Sequence, residues 1–219
     1  MSVSLENYVK IKGELTNAGA LLVAVSKKKS VEDILALYKL GQRDFGENYV
    51  QELLEKQPQL PADIRWHFIG HLQRNKVKYI APICSLIQGV DSVALLDEIN
   101  KQAIRLNKVI DCLLQVHIAR EETKFGFDQA ELAAILPSMN DRKNVRVLGL
   151  MGMASFTENE SVVRSEFQQL KSLALQYATY FTPSERPVLS MGMSGDYQIA
   201  LEEGSTLVRI GSLLFGARQ

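Results

Sequence analysis

The run Leu22-Val23-Ala24-Val25-Ser26-Lys27-Lys28-Lys29 sets a lysine at the carboxyl end of an apolar stretch. If the stretch is a strand, the alternation Val23, Val25, Lys27 aims the Lys27 amine to the same side as the two valines. Partial dehydration and two adjacent cations both disfavour the charged form, leaving a free amine able to attack an aldehyde. Read alone, three consecutive lysines also describe a solvated loop. Lys28 and Lys29 are expected to be that, or weak electrostatic helpers.

A second group has the makings of a phosphate cradle. Ser190-Met191-Gly192-Met193-Ser194-Gly195-Asp196 and Arg209-Ile210-Gly211-Ser212 combine glycines, which permit close backbone approach, with the hydroxyl donors Ser194 and Ser212. Asp196 reads as a helix-entry residue rather than a catalytic acid. Ser-Gly-Asp by itself is also an ordinary turn. Two such loops in succession weigh against that alternative. Arg209 falls inside an apolar run, where an unpaired charge is costly, so it must meet an anion or a polar ring atom; an internal ion pair would serve equally. Facing a pyridine nitrogen, its permanent charge would keep that nitrogen unprotonated and limit carbanion chemistry.

The third group is Phe45-Gly46-Glu47-Asn48 with Trp66-His67-Phe68-Ile69-Gly70-His71-Leu72-Gln73. Asn48, beside Lys27 in a barrel, can bond a ring hydroxyl. His67 and His71 are four apart, but the stretch between them reads as strand into turn, so helical metal-ligand geometry is absent and no metal is expected. His67 is read as a satisfied core residue and His71 as a mouth residue open to function. Arg74, Lys76 and Lys78 read as a solvated helix face.

These residues need elements that bring them together. Apolar or β-branched runs at Leu21–Val25, 44–46, 66–69, 86–90, 109–118, 145–150, 188–191 and Leu207–Ile210 alternate with amphipathic runs at 30–40, 49–56, 74–80, 93–106, 129–137, 161–180 and 197–203, after an extra amino-terminal run at 5–16. Each strand but the last is followed by a helix. Eight such units predict an α/β chain, a (β/α)₈ TIM-type barrel with an extra N-terminal helix, in one domain over residues 1–219; a doubly wound open sheet gives much the same linear pattern. The barrel is preferred because Lys27, Asn48, His71, Ser194 and Ser212 all follow strands and would share one mouth.

Composition removes other classes. Of 219 residues, 46% are hydrophobic and 23% charged, and 25 basic residues balance 25 acidic ones, so no net field draws nucleic acid or acidic membrane. Cys84 and Cys112 form no metal or redox motif, no leader pattern opens the chain, and no apolar run is long enough to span a bilayer. A cytoplasmic protein is expected. Walker, dinucleotide, Gly-x-Ser-x-Gly and Cys/His metal patterns are absent. An aldehyde-bearing, phosphorylated ligand is what remains.

At these residues the chain resembles the pyridoxal phosphate homeostasis protein family, relatives of the amino-terminal barrel of alanine racemase. Ala24-Val25-Ser26-Lys27, the stretch from Gly41 to Asn48, the stretch from Trp66 to Lys76, Lys124-Phe125-Gly126-Phe127, Met151-Gly152-Met153-Ala154 and the stretch from Leu189 to Arg218 carry the likeness. The resemblance implies pyridoxal 5′-phosphate (PLP) held as a Schiff base on Lys27. It also implies a phosphate held by Ser194, Gly195, Gly211 and Ser212, Arg209 at the pyridine ring, and a role in free-cofactor and amino/keto acid balance without robust turnover. The full expected cofactor set is Lys27, Asn48, His71, Met191, Ser194, Gly195, Arg209, Gly211 and Ser212. The family often has Ser-Lys-Thr-Lys-Pro where this chain has Ser26-Lys27-Lys28-Lys29-Ser30, and often a histidine in place of Gln88.

A PLP-dependent amino-acid racemase is the alternative, and a cofactor-free Schiff-base lyase a third reading. Alanine racemases add a β-domain and a second base from a partner subunit, whereas this chain ends at Gln219; beyond Lys27 its only proton-transfer candidates are His71 and Tyr79. The expected partners are PLP and, transiently, PLP-dependent apo-enzymes, with no nucleic acid, no membrane and a monomeric state.

Overall fold

A computed structural model describes residues 3–121, 125–182 and 186–216. The elements run α1 (Leu5–Ala18), β1 (Leu21–Val25), α2 (Val31–Lys39), β2 (Asp44–Glu47), α3 (Val50–Lys56), β3 (Arg65–Phe68), α4 (Val77–Ile80), β4 (Cys84–Val90), α5 (Val93–Arg105), β5 (Ile110–Gln115), α6 (Gln129–Ile135), β6 (Val145–Met151), α7 (Glu160–Gln176), β7 (Val188–Ser190), α8 (Tyr197–Glu202), β8 (Leu207–Ile210) and α9 (Ser212–Phe215). Neighbouring strands pair in parallel, and β1 closes on β8 with Leu21 opposite Leu207 and Ala24 opposite Ile210, giving a closed barrel in the order β1 to β8. That closure decides between the barrel and the open sheet.

Local chemistry starts and stops the helices where the pattern changes. Ser4, Ser30 and Ser92 accept hydrogen bonds from the N–H groups of Asn7, Asp33 and Leu95, and Asp128 and Glu131 form a reciprocal capping pair at α6. Strand alternation then sorts side chains into two cores. Val23, Leu86, Leu113, Met151 and Leu207 pack inside the barrel, while Leu22, Phe45, Phe68, Val208 and their neighbours pack against the helices.

Several boundaries shift from the expected ones, and three differences matter most. The strand expected over 109–118 ends at Gln115, because the N–H of Phe127 donates to the Gln115 carbonyl and that of His117 to the Phe127 carbonyl, so the chain turns to meet its own loop. The helix expected to Tyr180 ends at Gln176, followed by a 3-10 turn at Ala178–Tyr180. The last strand is also followed by a helix, α9. Lys124, Arg218 and Gln219 lie outside the described residues. Among the described residues no helix is long and apolar enough to cross a membrane.

Gly192, after β7, adopts φ +94°, and a Cβ there would lie 2.6 Å from the Ala200 Cβ. Gly192→Ala combines left-handed strain with overpacking, an expected loss of about 3 kcal/mol. Chemical denaturation reads this directly, and an unchanged midpoint would show that the loop yields freely.

Candidate functional site

The barrel opens at the carboxyl ends of its strands onto a cavity of about 340 Å³, within the size range of small-ligand pockets. Lys27, Asn48, Ser194, Gly195, Arg209, Gly211 and Ser212 all line it, and Val25, Ile69, Met153 and Phe156 supply apolar wall. Lys27 is half-buried, on a turn from Ser26 to Lys29 closed by the Lys29 N–H on the Ser26 carbonyl at 3.0 Å. Lys29, expected to be solvated, also borders the cavity, and its Nζ donates to the Phe215 carbonyl at 2.9 Å.

The two glycine-bearing loops form one unit. The Gly211 N–H donates to Ser194 Oγ at 3.3 Å, and the Asp196 carboxylate accepts from the Met193 N–H at 2.5 Å. Asp196 stands at the entry of α8 as expected, but its side chain closes the preceding turn rather than capping the helix. A Cβ on Gly195 would meet nothing within 4 Å, so open space lies beside that backbone. Across the mouth, Gly70 packs so closely that a Cβ would fall 2.3 Å from the Asn48 carbonyl oxygen. Asn48 is thereby held with its Oδ1 buried and without a hydrogen-bond partner.

Arg209 is fully enclosed, and among the described residues its guanidinium donates to Ser190 Oγ and to the Gly152 carbonyl at 3.0 Å, neither of them a carboxylate. The internal ion pair is therefore not what holds it. Burial, only partly countered by the charge of Asp196, draws its pKa down to about 10. Instead a chain of bonds crosses the barrel interior. Ser190 Oγ donates to Gln88 Oε1 at 2.7 Å, Gln88 Nε2 donates to His67 Nδ1 at 3.0 Å, and His67 Nε2 donates to Asp44 Oδ1 at 3.1 Å. Arg65, at the opposite end of the barrel, completes it by donating Nε to Asp44 at 2.7 Å. Every link from Arg209 to Asp44 donates in the same direction, so a cation at the mouth is relayed to an anion at the floor.

Burial would raise the Asp44 carboxyl, but hydrogen bonds from His67 and Arg65 outweigh it and hold the group below the usual carboxylate range. A folded-state value below the unfolded one adds stability above the ordinary aspartate pKa, and that stability is lost as pH falls through the folded value. Wild type is thus expected to exceed Asp44→Asn by roughly 1–3 kcal/mol near neutral pH, with the margin closing below about pH 4. Urea unfolding of both proteins across that range checks it; a pH-independent margin would contradict the assignment.

Two expected residues lie elsewhere. Met191 is fully buried in the outer core: Ser190 points into the barrel, so alternation turns Met191 outward against the helices. His71 is exposed beside the cavity, its ring stacked on Phe125 at 4.1 Å and its Nδ1 2.8 Å from Asp91, and it borders two outer grooves instead. His67 is buried and bonded on both nitrogens, as expected of a core residue.

Sequence reasoning missed a buried charge cluster behind Lys27. Lys56 Nζ donates to the Ser26 carbonyl at 2.8 Å, to Glu47 Oε1 at 2.8 Å and to Glu52 Oε1 at 2.6 Å. Burial pushes the Glu47 carboxyl up, against the opposing pull of Lys56 and Ser26. The available signal was the spacing: Glu52 and Lys56 are four apart on a helix whose buried face includes Leu53.

The profile of the family described as "Alanine racemase, N-terminal domain" matches residues 4–219. The pyridoxal phosphate homeostasis protein of Aquifex aeolicus is 43% identical over 201 residues, covering 91% of this chain and 88% of that protein. Its human namesake is 41% identical over 209 residues, covering 90% and 76%. PipY of Synechococcus elongatus, solved without PLP, superposes with a TM-score of 0.90 at 35% identity, covering 96% of this chain and 99% of that one, and its PLP-bound form superposes at 0.87. Alanine racemase of Bartonella henselae, at 16% identity and a TM-score of 0.73, shares the fold over 59% of its length. With the closed barrel in hand and relatives this similar along nearly its whole length, the chain belongs to the pyridoxal phosphate homeostasis protein family, on a barrel of the alanine racemase N-terminal-domain type.

Proposed function

We propose that this chain holds PLP in the Lys27 cavity, with Lys27 as its covalent anchor, and serves cofactor homeostasis and amino/keto acid balance rather than a defined turnover. The residues present fit the group. A buried, unpartnered Asn48 Oδ1 suits a ring hydroxyl, open space beside Gly195 suits a phosphate, and an enclosed Arg209 without a carboxylate suits the ring nitrogen. When bound, PLP would supply an aldehyde with which the Lys27 amine could condense, with loss of one water.

The chain's own residues do the rest. Ser194, Ser212 and the backbone around Gly195 and Gly211 donate to the phosphate, Arg209 keeps the ring nitrogen unprotonated, and the walls of Val25, Ile69 and Met153 exclude water. One observation carries the preference for a carrier over a racemase: no carboxylate, imidazole or phenol lines the cavity among the described residues, and the Nζ of Lys29, the other amine that borders it, is engaged by the Phe215 carbonyl. A monomeric, cytoplasmic protein that meets PLP-dependent apo-enzymes transiently belongs to the same proposal.

Incubation with PLP, borohydride reduction and peptide mass mapping should place the label on Lys27, with absorbance appearing near the violet edge of the visible. A protein left colourless and unlabelled overturns the proposal. Optical rotation of L-alanine should stay constant in its presence; turnover on the order of one per second or faster would establish the racemase instead.

A further inference from the structure

The backbone that carries Lys27 is an uncommon one. Lys28, the third residue of the turn from Ser26 to Lys29, has φ +58°, a left-handed conformation that glycine or asparagine ordinarily fills. Such a turn persists only where its surroundings hold it. Here both flanks of Lys27 are tied to one cluster. On one side the Ser26 carbonyl accepts from Lys56 Nζ at 2.8 Å, and Ser26 Oγ donates to Glu47 Oε1 at 2.7 Å. On the other side the Lys28 N–H donates to Glu52 Oε1. Lys56 joins the two sides by donating to both carboxylates, so its three donors are all spent on this clamp.

The cluster is set apart from the cavity. Glu47, Glu52 and Lys56 do not line it, and the Lys56 and Glu47 side chains are 9% and 0% exposed. A buried ammonium held between two carboxylates is an expensive way to fasten α3 to β2, since apolar side chains would do so at no dehydration cost. Its bonds to the Ser26 carbonyl and, through Glu52, to Lys28 are what an apolar contact would not supply.

We propose that Lys56, with Glu47 and Glu52, is a positioning residue for Lys27: from behind the strand it fixes the turn so that the Lys27 amine enters the cavity on the line of attack. The inference rests on the proposal that Lys27 anchors PLP. It predicts a defect confined to the covalent step, because misplacing a nucleophile by about 1 Å can cost up to a hundredfold in rate.

The test compares PLP with pyridoxamine 5′-phosphate, which keeps the ring and phosphate but has an amine where PLP has the aldehyde. In Lys56→Met, the rate of borohydride-trapped labelling at Lys27 should fall at least about tenfold, while affinity for pyridoxamine 5′-phosphate stays within about twofold of wild type. Lys56→Arg, which retains a multidentate cation, should recover part of the rate. Wild-type labelling in Lys56→Met, or equal losses for both ligands, would overturn the inference. Should Lys56→Met fail to fold, Glu52→Ala decides: its carboxylate is partly exposed, and losing the Lys28 anchor should slow labelling about threefold without weakening pyridoxamine 5′-phosphate. Unchanged labelling there overturns it as well. A wild-type protein that takes no label at Lys27 removes the anchor itself, an outcome distinct from a variant that labels normally.

Discussion

Lys27→Ala is expected to abolish borohydride-trapped PLP and the violet-edge absorbance together, and to weaken PLP retention by about two orders of magnitude or more, as a covalent hold becomes a noncovalent one. The fold should be indifferent, with stability changing by less than about 1 kcal/mol, because Lys27 is half-buried on a turn at the mouth rather than within a strand. Absorbance, peptide mapping and thermal unfolding of the same preparation separate the two effects. Label persisting on another amine in Lys27→Ala would mean that the anchor lies elsewhere. Lys29 is the neighbour to watch, since it borders the same cavity, although its Nζ is engaged by the Phe215 carbonyl.

Arg209→Met should move affinity and stability apart. The guanidinium is enclosed, and burial already draws its pKa down to about 10, so its removal relieves a dehydration cost while taking away the donors to Ser190 Oγ, which keeps its bond to Gln88, and to the Gly152 carbonyl. These opposing effects leave a net stability change expected within about 1 kcal/mol. PLP affinity, by contrast, should fall roughly 10- to 100-fold, the worth of a hydrogen bond from a charged donor, and the ring nitrogen should become free to take up a proton near neutral pH. Paired urea unfolding and PLP titration read both quantities. A variant that binds PLP as well as wild type would place Arg209 outside the recognition of the ring.

The barrel was legible because its signal is local. A strand such as Leu21–Val25 shows itself as an unbroken apolar run of five residues, and the loops after β7 and β8 announce themselves by glycine and serine. The differences came where a third dimension decides. His71 follows a strand like the residues that line the cavity, yet Asp91 and Phe125 draw it to the outside. Met191 belongs to a loop of the right composition, but strict alternation from Ser190 turns it away, and that signal was present to be used. Lys56 was the harder case: a lysine on a surface helix reads as solvated, and nothing nearby in the chain says that the Ser26 carbonyl, thirty residues earlier, will receive its charge. The overlong fifth strand has the same cause, because pairing of 115–117 with Phe127 competes with the barrel only once the loop has folded back.

The single direction of the bonds that cross the barrel explains why glutamine can stand at position 88. That site must offer an acceptor toward Ser190 and a donor toward His67. A carboxamide does so with its two ends, and a neutral imidazole would do so with its two nitrogens. The two side chains are interchangeable connectors of one polarity, whereas a leucine there would break the circuit and a lysine, with donors alone, would short it.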